Sequence, residues 1–139
     1  MRYFDASALV KRYVREAGTI KVRRLLASPG GSATSRLSVV EMTSAIMRRS
    51  REGAFPDAER DRALAALERD TSALLVVELS PEVVRVARGL LQRWPLRSGD
   101  AVQLASCLYV QAAIGEPLTL VAFDARLLDA ARGEGLRIA

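Results

Sequence analysis

Histidine is missing from this sequence altogether, and cysteine occurs once, at Cys107. Without histidine there is no Ser-His-Asp or Cys-His nucleophilic site, no imidazole acid/base pair and no HExxH zinc site. A lone cysteine forms neither an internal disulfide nor a cysteine-rich zinc site, and the apolar setting AVQLASCLYVQAAI marks it as an inert core thiol. Lysine is scarce too. Lys11 and Lys21 are the only two, and no GxxxxGK[ST] phosphate loop is present. The longest weakly polar run, Ala101 to Ile114, falls short of the roughly 20 apolar residues a membrane crossing takes. Asp5 interrupts the N-terminus before a signal-like apolar region forms, so a cytoplasmic protein with no membrane partner is expected. An enzyme built from this set rests on carboxylates, and carboxylates acting without histidine commonly hold a hard cation such as Mg²⁺ or Mn²⁺.

What is present describes one globular domain over residues 1–139. Half of the chain is hydrophobic, enough at this length to bury roughly two-thirds of the unfolded surface. The net charge of +5 suits a polyanionic partner, although nearly all of the positive charge is arginine, which composition bias alone also produces.

Short apolar runs alternate with longer helical ones. RYF leads into a helix over Ser7–Val14, GTIKVRRLLAS reads as a second helix, and PGGSATS turns the chain into a strand around Ala33. RLSVVEMTSAIMRRSREG gives about four turns of helix closed by Gly53, and FPDAERDRALAALERD gives another, started by Pro56 and Asp57. LLVVEL reads as a continuous apolar strand, and SPEVVRVARGLLQRW as a helix capped by Ser80 with Pro81 in its first position. Ser98 is placed to cap a Gly99–Ile114 helix. LTLVAF, DARLLDAARGEG and LRIA then read as buried strand, short helix and edge strand. Apolar strands separated by helices describe a three-layer α/β/α domain around a central, mainly parallel sheet.

The acids fall where such a sheet places its sites, beyond the carboxyl ends of its strands. Asp5 follows RYF, Asp124 follows LTLVAF, and Asp100 stands in the first turn of its helix. Each also has a purely structural reading, as a helix cap or a charge that complements the helix dipole. Glu41 interrupts the apolar run LSVVEMTSAIM, yet it shares a helical stripe with Leu37, Ser44 and Arg48, so periodicity leaves its burial open. Small Ser44 and Ala45 leave room beside it for an ion and its waters.

Taken in order, FDASALVKRY, LSVVEMTSAI, LRSGDAVQLASCLY and VAFDARLLDAARGEGL resemble the four acidic motifs of the PIN-domain ribonucleases, most closely the VapC-like toxins. The resemblance covers nearly the whole chain. It implies an α/β/α nuclease whose Asp5, Glu41, Asp100 and Asp124 are catalytic and bind Mg²⁺ or Mn²⁺, with Ser7 as a supporting hydroxyl. It also implies a homodimer and a cognate antitoxin whose tail blocks the site. The apolar-rich segments GTIKVRRLLAS and RLSVVEMTSAIMRRS are the candidate surfaces for both. One departure stands out: Ala122 occupies the position where the fourth motif usually has Thr or Ser, so an outer hydroxyl is missing beside Asp124. The expected substrate is single-stranded or loop RNA, because duplex bases lie in a groove that side chains do not read. Two other readings differ in kind. One is a catalytically weak RNA-binding or scaffold domain of the same fold. The other is a receiver-like or dehalogenase-like phosphotransfer domain, disfavoured because LLVVELSPE offers no acceptor Asp and DAS lacks the second Asp of a DxD motif.

Overall fold

A computed structural model describes every residue from Met1 to Ala139. Five strands, β1 (Arg2–Phe4), β2 (Ser32–Ser35), β3 (Leu75–Val77), β4 (Thr119–Val121) and β5 (Arg137–Ile138), form one all-parallel sheet in the order β3-β2-β1-β4-β5. The helices are α1 (Ala6–Tyr13), α2 (Thr19–Ala27), α3 (Arg36–Arg51), α4 (Asp57–Thr71), α5 (Pro81–Arg93), α6 (Ser98–Ile114) and α7 (Ala125–Gly133). None is long and apolar enough to cross a membrane.

Strand alternation divides the interior into two cores. Tyr3 and Leu120 point to one face, where Val83, Leu90, Leu104 and Leu127 bring in α5, α6 and α7. Phe4 and Val121 point to the other, where Leu9, Val22, Met42, Ile46 and Leu67 bring in α1 to α4. Both faces of the sheet are therefore covered, as is usual for an all-parallel sheet.

Three expectations need correction. LTLVAF is strand only over Thr119–Val121, and its last residue, Phe123, is exposed. LLVVEL is not strand along its whole length: β3 spans only Leu75–Val77 at the sheet edge, with Leu75 and Leu79 exposed and Val77 buried. Having a neighbour on one side only, it buries only part of its length. Ser98 is not a cap either. It is the first residue of α6, and the capping position, Arg97, makes no side-chain cap bond. Asp100, in the first turn, interacts instead with the Arg97 backbone N–H, as an acid at the third helical position does in a capping box. Ser80 and Pro81 open α5 as expected, with Ser80 Oγ accepting from the Val83 N–H at 3.2 Å.

Candidate active site

The carboxyl ends of β1 and β4 lie side by side, because Phe4 pairs with Val121 and the Asp5 N–H donates to Val121 O at 3.1 Å. Each strand then runs straight into a helix, and the turning residue is an aspartate. Asp5 Oδ1 accepts from the Ala8 N–H at 3.0 Å and Asp124 Oδ1 from the Leu127 N–H at 2.9 Å. Both are N-caps, so the structural reading of these acids is correct as far as it goes. Their surroundings differ sharply. Asp124 is exposed, whereas Asp5 is only 4% exposed. Ser7 Oγ lies 2.8 and 2.9 Å from the two Asp5 oxygens and accepts from the Phe123 N–H at 3.2 Å. One hydroxyl thus ties the end of β1 to the end of β4.

Glu41 and Asp100 arrive from helices on opposite faces of the sheet. Glu41 is half-buried in the middle of α3, and its Oε1 is enclosed without any hydrogen-bond partner, the one buried side-chain polar atom left so. Gly99 packs against it: a Cβ there would stand 3.3 Å from Oε1. The α3 and α6 helices are also joined by Gln103, which donates to Ser38 Oγ at 2.9 Å and accepts from the Tyr3 hydroxyl at 2.8 Å.

The acids form a row in which each feels the next. Burial, with a smaller contribution from Glu41, raises the Asp5 carboxyl to about 6 against the opposing bonds from Ser7 and Ala8. Glu41 is raised by burial and by Asp100, with the Gln103 amide opposing. Asp100 is raised by burial and by Asp124, while the Arg97 N–H and the Arg97 and Arg126 guanidinium groups pull it down. No three acidic side chains converge closely enough to enclose an ion by themselves. They come as neighbouring pairs, which is what Mg²⁺ asks for, since it keeps several waters and uses one or two protein carboxylates. The unbonded Glu41 oxygen and the mutual repulsion along the row both fit a bound cation.

Beside the row opens a cleft of ≈ 640 Å³, lined on its acidic side by Ser7 and Glu41 and elsewhere by Lys11, Arg48, Arg49 and Arg97. Ser44 and Ala45 form part of its wall, as their small size led us to expect. Lys11 and Arg49 are both paired with Glu16, and neither Arg48 nor Arg97 has a carboxylate partner. Of these basic residues only Arg48 was placed near Glu41 by the sequence, on the same helical stripe. Cys107 is fully buried and its thiol is pushed up to about 12 by burial, which makes it the inert core residue expected.

A family model of the PIN domain matches residues 2–133. The chain belongs to the PIN-domain family. This PIN domain is 36% identical over 143 residues to ribonuclease VapC45 of Mycobacterium tuberculosis, covering 99% of this chain and 93% of the relative. Its fold matches that of VapC20, a sarcin-ricin loop cleaving toxin of the same species, with a TM-score of 0.69, 20% identity and coverage of 94% and 95%. It also matches a toxin–antitoxin complex from Klebsiella pneumoniae, with a TM-score of 0.67, 18% identity and coverage of 100% and 96%.

Proposed function

We propose that this PIN domain is a divalent-metal-dependent endoribonuclease, the toxin of a toxin–antitoxin pair, acting as a single domain over residues 1–139. The observation that carries the metal site is the buried Glu41 oxygen with no partner, set in a row of acids that repel one another. Neighbouring pairs of the row, Asp5 with Glu41 or Glu41 with Asp100, would hold Mg²⁺ or Mn²⁺ together with its waters, with the more exposed Asp124 at the outer end of the row. Such an ion supplies an activated water at neutral pH and offsets the charge that builds up on the phosphate.

The chain's own residues do the rest. Ser7 and the Ala8 N–H fix the orientation of Asp5, so its free lone pairs face one direction. Arg48 and Arg97, neither of which is tied up in a direct ion pair although Arg97 also acts on Asp100, meet the phosphates on either side of the cut. In hydrolysis a water oxygen bonds to phosphorus, the P–O3′ bond breaks and the departing 3′-oxygen gains a proton. Single-stranded or loop RNA fits the cleft, since its backbone bends and its bases are free.

A relative 36% identical to this chain is a VapC ribonuclease, and a fold neighbour is a toxin–antitoxin complex. Exposed Ile20 of α2 (82%) and Val40 of α3 (66%), the latter on the wall of the cleft, are surfaces for an antitoxin and for a second copy of the chain. The test is RNA cleavage with Mg²⁺ or Mn²⁺ and with chelator. Cleavage that requires the ion and is lost in both Asp5→Asn and Asp100→Asn supports this reading; full activity in both variants sinks the site. Co-expression with the neighbouring gene product should yield an inactive complex.

A further inference from the structure

Phe123 has no part in the hydrolysis just described, yet it stands at the rim of the acidic row. It joins β4 to the Asp124 cap and is 39% exposed. The chain has only three phenylalanines, three tyrosines and one tryptophan. Among these only Phe123 and Tyr109 are exposed, and Tyr109 lies more than two turns along α6 from Asp100.

The ring is held rather than free. Its backbone N–H is bonded to Ser7 Oγ, the same hydroxyl that holds Asp5. Lys11 Nζ sits over the ring, 4.4 Å from its centre. Gly18, in a left-handed conformation at φ +92°, lets the loop before α2 press against the ring edge, where any Cβ would stand 2.7 Å from Cε1. Lys11 is itself fixed by its 2.9 Å bond to Glu16. An aromatic ring with a cation on one face draws electron density toward that face, which lowers the repulsion its open face offers to another π system.

Building on the ribonuclease reading, we propose that Phe123 is a stacking platform for an unpaired nucleobase next to the scissile phosphate, and so a residue that sets where along a strand the cut falls. The flanking base, splayed out of a loop or single strand, lies on the open face while the cleft arginines take the backbone. A base within a duplex is already stacked on both sides and has no face to offer. Stacking of one base on an aromatic ring changes affinity by about tenfold to a hundredfold.

The test compares wild type with Phe123→Leu, which keeps apolar bulk, and Phe123→Tyr, which keeps the ring. Substrates are a cleavable single-stranded RNA and versions of it made abasic at each nucleotide flanking the mapped cut in turn. Phe123→Leu should raise KM about tenfold or more on intact RNA, and Phe123→Tyr should stay near wild type. At one abasic position the wild-type enzyme should fall to the level of Phe123→Leu, with no further loss from the substitution. A second readout needs no catalysis: with chelator present, 2-aminopurine at that position should be quenched by wild type and Phe123→Tyr but not by Phe123→Leu. Equal KM for Phe123→Leu and wild type overturns the platform, as does a loss of the same size on every abasic substrate. If wild type cuts no RNA but quenches 2-aminopurine placed at successive positions of the strand in turn, and Phe123→Leu does not, the ring is a base platform and the ribonuclease reading falls; if wild type neither binds nor cuts RNA, both fall.

Discussion

Asp5 does two things that pull against each other. Its side chain caps α1, which favours an oxygen at this position, while its burial and the neighbouring Glu41 disfavour the charge on that oxygen. The folded-state value of about 6 lies above the ordinary 3.8, so between these values the folded protein binds more protons than the unfolded one. Stability of the metal-free protein therefore falls as pH rises through that window, by an amount on the order of 3 kcal/mol for a group so deeply buried. Asp5→Asn keeps a good cap and removes the charge. It should raise the metal-free Tm by several degrees at pH 7, and the gain should vanish below about pH 4, where both forms are neutral. A thermal melt across pH checks this, and an equal gain at every pH would contradict it. Added Mg²⁺ or Mn²⁺ should stabilise wild type more than the variant, because an ion that binds only the folded state raises Tm in proportion to its occupancy. Much of this residue was legible in the sequence. Its cap role follows from local chemistry and its place after the first strand from the apolar pattern. The burial that perturbs it was not, because that depends on α3 packing across from α1.

Among the elements, those whose boundaries are set by neighbours in sequence were read best. Ser80 with Pro81 starts α5, and the left-handed Gly53 follows the end of α3. Where tertiary packing decides, the reading failed: β3 is shorter and more exposed than its apolar run suggests, and α6 begins at Ser98. The α5–α7 layer carries a close contact that no pattern would show. Trp94, the residue that ends α5, lies against Gly133 at the end of α7, where a Cβ would come within 2.1 Å of its ring. Its indole N–H also donates to Glu134 Oε1 at 2.7 Å. Gly133→Ala should force the ring out, costing about 1–3 kcal/mol as overpacking does. Since Trp94 is the only tryptophan, its emission should shift to the red as the ring meets water. Unchanged emission and Tm would mean the ring relocates freely.

At the scale of the whole molecule, the positive charge has a direct reading: binding of RNA should weaken steeply with salt as arginine contacts release counterions. Affinity unchanged between low and physiological salt would argue against a backbone-led complex. The α/β/α architecture was legible in the alternation of apolar runs with helical ones, whereas the four acids were picked out by the resemblance of their motifs to those of PIN domains, since each taken alone reads as a cap or a surface charge. The arginine cleft and Phe123 were not legible, because they are joined only by folding. The sheet order also bears on when activity can arise. β1 is made first but sits in the centre, and its inner partner β4 comes more than a hundred residues later. A chain still being synthesised has Asp5 and Glu41 long before it has Phe123, Asp124 or the strand that holds Asp5 in place. The site therefore comes into being only once β4 has been made, and until then the growing chain is inert. A chain truncated before Thr119 should be tolerated when expressed without a partner and should show no cooperative melt. Harm from that fragment would place the active centre elsewhere.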